Sequence, residues 1–376
     1  MKSRVVVALL TLLLVACGQA EARVATKGDP VDHRIDAFLR DAIPDGPTGT
    51  VMAARGGKLL HCAGFPRQRA NDCDTGYDVM SITKQFTAAA ILKLEAMGRL
   101  KVSDRLSRHL GPVPKDKRRL TLHQILTHTS GLPESLGDDY DPVSRDQLIR
   151  RALRAKLHGA GSFHYSNTGY SLLAAVVEKA SGLPYERFLA TRLFAPAGMT
   201  HTGYVLPHWR RGQLAVEYDE RGRSQGTPLD HPWAADGPYW NLRGNGGMLS
   251  TARDMFAWHR ALSRPGRVLP APQLRKLLKP YVQMPDDSGW YGYGWAFADT
   301  PAGRAAWHNG GNGWSFASTG RLAADDVAVF WVSNTAHRRG RWNMERLEER
   351  ITFGVARRAG KEAGASRTWA EGATGF

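Results

Sequence analysis

Residues 48–54 and 58–64 alternate apolar and polar positions on either side of Arg55-Gly56-Gly57, which predicts two strands joined by a turn. Before them, residues 31–42 place apolar side chains at helical spacing and stop short of Pro44. After a polar loop, Ile82, Phe86, Ala90, Leu94 and Met97 recur at helical spacing, predicting a helix with an apolar face in the core and its end at Gly98. Residues 122–128 read as a short helix halted by Ser130-Gly131-Leu132-Pro133, 167–181 as an amphipathic helix ended by Gly182 and Pro184, and 185–195 as another. Residues 203–245 are loop-rich, with Trp233, Tyr239 and Trp240 clustered, before helical spacing returns at 251–262. Strand patterns reappear at 315–322 and 327–333, a hairpin over Ala323-Ala324-Asp325-Asp326, and 341–357 predicts a terminal helix. This order implies an α+β fold: an antiparallel sheet split in sequence, with a helical domain inserted between its halves. The expected boundaries are a sheet subdomain at about 31–85 and 245–357, an insertion at about 86–244, and a flexible tail at 358–376.

The first residues follow a different pattern. Lys2 and Arg4 precede an apolar run from Val5 to Val15, too short to span a bilayer comfortably, which predicts a signal peptide over residues 1–16. The run ends in Leu14-Val15-Ala16-Cys17, which resembles the lipobox of bacterial lipoproteins; the resemblance implies that Cys17 is lipidated and that 17–30 is a tether. Ordinary cleavage after Ala20-Glu21-Ala22 is the alternative. The expected location is the periplasmic side of a bacterial envelope, anchored to the membrane through the lipid.

Composition changes this picture little. The 376 residues carry a formal charge of +16, reduced by two if Lys2 and Arg4 leave with the signal. The basic residues are scattered, and no motif interleaves them with aromatics, so nucleic acid is not an expected partner. Cys62 and Cys73 remain in the body of the chain, an even pair that in an oxidising compartment invites a disulfide, two free thiols being the alternative.

Three short runs carry candidate chemistry. In Val79-Met80-Ser81-Ile82-Thr83-Lys84, a lysine three residues after a serine lies on the same helical face, where its amine can take the hydroxyl proton. The Ser81 N–H, near a helix start, can point at a developing oxyanion. In Tyr165-Ser166-Asn167, a phenol and an amide two residues apart can both face a cleft, the phenol to relay a proton and the amide to bind the lysine and a substrate amide. In Trp307-His308-Asn309-Gly310-Gly311, a strand entering a glycine-rich turn lets a ligand approach the backbone closely.

In this order the three runs resemble the class C β-lactamase-like serine hydrolases, whose pattern is Ser-x-x-Lys, then Tyr-x-Asn, then Lys-, His- or Trp-x-Gly. The runs at 122–133, 246–254 and 291–295 look like the same superfamily, and the likeness covers roughly residues 31–357. It implies a β-lactamase/transpeptidase-like fold, an antiparallel sheet flanked by the N- and C-terminal helices. It also implies Ser81 as nucleophile, Lys84 and Tyr165 sharing proton transfer, Asn167 and His308 on the substrate, and Gly311 beside Gly310 as the second oxyanion donor. No cofactor is implied, and no metal: His123 and His128, five apart, do not stack on one helical face. Where β-lactamases carry Lys-Thr-Gly, this chain has His308-Asn309-Gly310. The expected function is therefore a secreted or lipid-anchored serine hydrolase acting on an ester or a D-amino-acid or peptide amide. A true β-lactamase is the alternative, and a noncatalytic peptidoglycan-binding envelope protein is the reading from another class. The expected partners are a small-molecule or peptide substrate, peptidoglycan, and the membrane through the lipid anchor; the oligomeric state is left open.

Overall fold

The computed structural model describes residues 30–66, 71–210, 212–300 and 303–360. The signal run and Cys17 lie outside the described residues, as does the chain after Gly360. Helix α1 (Pro30–Ala42) leads into strands β1 (Gly49–Arg55) and β2 (Lys58–Phe65). Gly56 and Gly57, with φ of 57° and 72°, make the left-handed pair that a two-residue hairpin requires. Cys62 of β2 is disulfide-bonded to Cys73, with Cα atoms 5.7 Å apart, which fastens the sheet to the loop entering β3 (Gly76–Asp78).

Helices α2 (Thr83–Ala96), α3 (Ser107–Leu110), α4 (Leu122–Leu126), α5 (Arg145–Arg154), α6 (Asn167–Ser181), α7 (Tyr185–Leu189) and α8 (Ala195–Ala197) follow. After a loop-rich stretch come β4 (Leu249–Thr251), which pairs with β3, and then α9 (Ala252–Leu262) and α10 (Ala271–Leu277). Strands β5 (Val282–Gln283), β6 (Trp290–Tyr291), β7 (Ala296–Thr300), β8 (Gly303–Gly311), β9 (Phe316–Leu322) and β10 (Val327–Ser333) then precede α11 (Glu348–Ala359). The main sheet has eight strands in the order β2-β1-β10-β9-β8-β7-β6-β5, antiparallel throughout.

The split sheet closes where β1 pairs with β10, Val51 facing Trp331 and Met52 facing Phe330. Side chains alternate across a strand, so the sheet separates two cores. Val51, Ala53, Val329 and Trp331 pack with Ile35 of α1 and Ile351 and Val355 of α11. Met52, Ala54, Phe330 and Val332 belong to the larger core, which takes in α2, α6 and α9. Buried on both faces, β10 is apolar or small at nearly every position.

Several elements differ from their sequence patterns. Helix α2 is buried on every side from Thr83 to Leu92, not on one face, because helices enclose the side turned away from the sheet. The helix expected at 185–195 breaks: α7 gives way to a wider π turn at Ala190–Phe194 before α8. The terminal helix begins at Glu348 rather than 341, since Trp342 and Asn343 pair as a short strand with His337 and Arg338. The late hairpin is one end of a longer meander, because β5 to β8 are short, glycine-rich or polar and lack a clean alternation.

Candidate active site

Ser81 sits at the centre of a 3₁₀ turn, Met80–Ile82, that runs straight into α2. Strand β3 delivers it, anchored by the Val79 N–H donating to the Met248 carbonyl at 2.8 Å. Met80 adopts φ 47°, a left-handed conformation that costs a non-glycine residue of order 1 kcal/mol. It is held there by its N–H donating to Asp78 Oδ1 at 2.6 Å. One turn into α2, Lys84 Nζ lies 3.0 Å from Ser81 Oγ and donates to the Asn245 carbonyl at 2.9 Å. The amine is fully buried, and that burial holds its pKa well below the usual lysine value.

Tyr165 and Asn167 meet this pair from the helical side. Ser166 caps α6, its Oγ accepting from the Gly169 N–H at 3.0 Å, which fixes the residues on either side of it. Lys84 Nζ lies 4.7 Å from the Tyr165 ring centroid. Burial disfavours the charged amine and so weakens any cation–π character of this contact. Burial pushes the Tyr165 phenol up, opposed by a hydrogen bond with Ser81, so it stays protonated. The expected bond from Asn167 to the lysine is replaced by the one from Lys84 to Asn245, and Asn167 Oδ1 is buried without a partner among the described residues.

The third run comes from strand β8 itself, not from a turn beyond it. His308 Nδ1 is 2.6 Å from the Asn309 carbonyl, which can only accept, so the ring proton is on Nδ1. Nε2 then accepts from the Tyr291 hydroxyl at 2.9 Å. Burial, reinforced by the neighbouring Lys84, lowers the His308 pKa to about 3. Asn309 points the other way, donating to Glu348 Oε2 at 2.6 Å. At Gly310 a Cβ would stand 2.4 Å from the Ser81 nitrogen and 2.8 Å from Met80 Cβ, so only glycine lets the strand lie against the serine. Gly311 is the exposed last residue of the strand. Gly310→Ala should therefore fold but move β8 away from Ser81, lowering kcat by about 100-fold, as when an oxyanion donor is lost. Steady-state kinetics with p-nitrophenyl acetate, beside a near-UV dichroism spectrum, checks this.

Three residues join the site without having been singled out as functional. His128 stacks on Tyr165 with centroids 4.5 Å apart and accepts the Ser166 N–H on Nδ1 at 3.0 Å. Burial and the nearby Lys84 and His308 hold it neutral. Tyr291 orients His308, and Asn245 acts through its carbonyl. The first two lay in runs that carried the family likeness; a backbone carbonyl leaves no mark in sequence. Of the clustered aromatics, Trp240 packs under the Arg243 guanidinium, 5.1 Å from its ring, and Trp233 sits edge-on to Tyr204. A cavity of about 340 Å³ opens against Tyr165 and His308, with Phe163, Tyr291 and Trp307 among its walls.

This arrangement places a hydroxyl, an amine of lowered pKa and a protonated phenol together beside a glycine strand. The chain as a whole is similar to known proteins in sequence and fold. The family model described as Beta-lactamase matches residues 35–351. Penicillin-binding protein 4* of Bacillus subtilis (strain 168) is 30% identical over 292 residues, 70% of this chain and 62% of the relative. The chain thus spans about three-fifths of that relative's length. Among solved structures, the penicillin binding protein from Bacillus halodurans superposes with a TM-score of 0.69 at 25% identity, covering 84% of this chain and 98% of the other. A D-stereospecific amidohydrolase from Streptomyces sp. gives 0.68 at 24% identity, covering 86% and 99%.

Proposed function

The chain belongs to the beta-lactamase family, and from that premise we propose that it is a serine hydrolase that passes an acyl group through Ser81, acting on an ester or on a D-amino-acid or peptide amide. The observation that carries this reading is the 3.0 Å contact between Ser81 Oγ and the buried Lys84 amine, whose pKa burial lowers towards that of a base able to take the serine proton. Ser81 Oγ bonds to the substrate carbonyl carbon as its proton passes to Lys84 Nζ. Negative charge gathers on the carbonyl oxygen, where the Ser81 and Gly311 N–H groups receive it. The bond to the leaving atom then breaks; Tyr165 gives that atom its proton and is resupplied from Lys84. Water attacks the acyl-enzyme by the same proton route in reverse, returning the hydroxyl to Ser81. Asn167 offers its side chain to an amide in the acyl group.

His308 argues for an ester or peptide-like substrate over a β-lactam. Both ring nitrogens are bonded within the protein and the ring is neutral, so a substrate carboxylate meets no cation at this position. At pH 7, kcat/KM for p-nitrophenyl butyrate should exceed that for nitrocefin, with Ser81→Ala as background. Nitrocefin turnover at or above the ester rate would put a β-lactamase in place of this reading. The name of the B. subtilis relative says that it binds penicillin; for this chain that supports acylation by penicillins with slow release.

Leu14-Val15-Ala16-Cys17 supports export with lipidation of Cys17, placing the enzyme at the membrane surface of the envelope. Several acyl chains anchor firmly where one binds only marginally. The wild-type protein should partition with membranes and Cys17→Ser should not; soluble mature protein starting at Arg23 would favour ordinary cleavage.

A further inference from the structure

The cavity beside Tyr165 and His308 has no role in the proton chemistry, yet its position and lining are specific. Tyr165 forms part of its wall. In the reading proposed above, on which this inference rests, Tyr165 hands a proton to the leaving atom, so that atom sits within hydrogen-bond reach of the phenol. Whatever the leaving atom carries must then extend into the space that Tyr165 and His308 border.

That space has a mainly apolar lining and offers no charged side chain. Phe163, Met284, Pro285, Tyr291 and Trp307 are among the residues that line it. The polar side chains that also line it are already bonded. His308 uses both nitrogens and Ser288 Oγ donates to the Pro285 carbonyl at 2.8 Å, while the Asn309 side chain is turned away from the cavity to Glu348. Among the described lining residues there is no lysine, arginine, aspartate or glutamate. A carboxylate placed here would give up part of its hydration with no cation to replace it, which is costly. An apolar group would exchange water for aromatic and aliphatic contact. At about 30 Å³ per water-sized particle, 340 Å³ holds about eleven heavy atoms, an aromatic ring with a short substituent.

We infer that this cavity is the leaving-group subsite, and that it selects esters or amides whose alcohol or amine part is uncharged, apolar and about the size of a substituted ring. Attack by Ser81 would release that part as the free alcohol or amine, carrying the proton that began on the serine, while the acyl half stays on Ser81 Oγ outside the cavity.

The test fixes the acyl group and changes only charge in the leaving group. At pH 7 the methyl ester of 3-carboxyphenyl acetate should be hydrolysed with a kcat/KM at least tenfold above that of 3-carboxyphenyl acetate itself. Ser288→Lys, which brings an ammonium into the cavity, should shrink that ratio at least tenfold. Equal rates for the two esters in the wild type, or a ratio unmoved in a folded Ser288→Lys, overturns the subsite. Calorimetry on Ser81→Ala gives a readout free of catalysis: methyl 3-hydroxybenzoate should bind at least tenfold more tightly than 3-hydroxybenzoate, and equal binding also overturns the inference. The two levels separate cleanly. If Ser81→Ala hydrolyses both esters as fast as wild type, the nucleophile reading falls and the leaving-group assignment with it. If turnover needs Ser81 but ignores leaving-group charge, the subsite alone falls.

Discussion

Ser81→Ala should reduce ester hydrolysis by about ten-thousand-fold or more and abolish covalent labelling by a fluorophosphonate, while the protein stays folded. The magnitude is that of losing a nucleophile for which no other group substitutes. Removing one hydroxyl from a partly exposed 3₁₀ turn leaves the Lys84 bond to the Asn245 carbonyl and the contact with β8 in place, so no large structural loss accompanies the chemical one. Peptide mapping of the wild-type adduct should put the label on Ser81. A label that persists in Ser81→Ala would remove the residue from the mechanism.

Lys84→Met should cost at least about 100-fold in kcat, the usual scale for a positioned proton-transfer group, and yet raise thermal stability at neutral pH. Burial depresses the amine's pKa in the folded protein, whereas the unfolded chain has the ordinary lysine value near 10.5. Between those two values the unfolded state binds more protons, so the native lysine destabilises the fold. Below the depressed pKa that cost is present in full, and it fades as pH rises towards 10.5. Methionine has similar length and no charge to desolvate. The stability gain should therefore be largest at low pH and shrink as pH rises, a slope that calorimetric melting temperatures from pH 6 to 10 would show. A variant less stable than wild type throughout that range would mean that the amine's bonds outweigh its desolvation. The same depressed pKa makes wild-type kcat/KM rise with pH until the amine is neutral. His308 stays neutral well below that window, so the acid limb belongs to Lys84 and its neighbours and not to this imidazole.

The approach of Ser81 to Lys84 was more legible in the sequence than the sheet that holds them. Ser81 and Lys84 were readable together because a helix places residues three apart on one face, a purely local rule. Strand β10 and the hairpin β1–β2 were visible for similar reasons, the first as an apolar run and the second as alternation around two glycines. Strands β5 and β6 were not, because two-residue strands carry no period. Gly310 and Gly311 looked like a turn for want of side-chain bulk, whereas the structure keeps both in the strand and uses the missing Cβ of Gly310 to bring it against Ser81. The histidine's charge was also beyond sequence. A reference imidazole titrates near 6.5, and only the placement of Tyr291, the Asn309 carbonyl and Lys84 around the ring explains why this one does not. Asn167 marks the other limit: its position at the start of α6 was foreseen, but not the choice of the lysine for a carbonyl from residue 245.

The pairing of β1 with β10 bears on how the molecule is made. Gly49 pairs with Ser333, so β1 has no neighbour on one side until the residues of β10 have been synthesised. The β1–β2 hairpin can form early, but it remains a two-stranded ribbon with an open edge, marginal by itself in water. Strand β8, which brings the glycines to Ser81, is equally late. Contacts so distant along the chain make for slow folding. A partly made or truncated chain thus carries the serine and lysine on adjacent turns without the wall that completes their site, so hydrolytic activity should appear only after the last strands have docked.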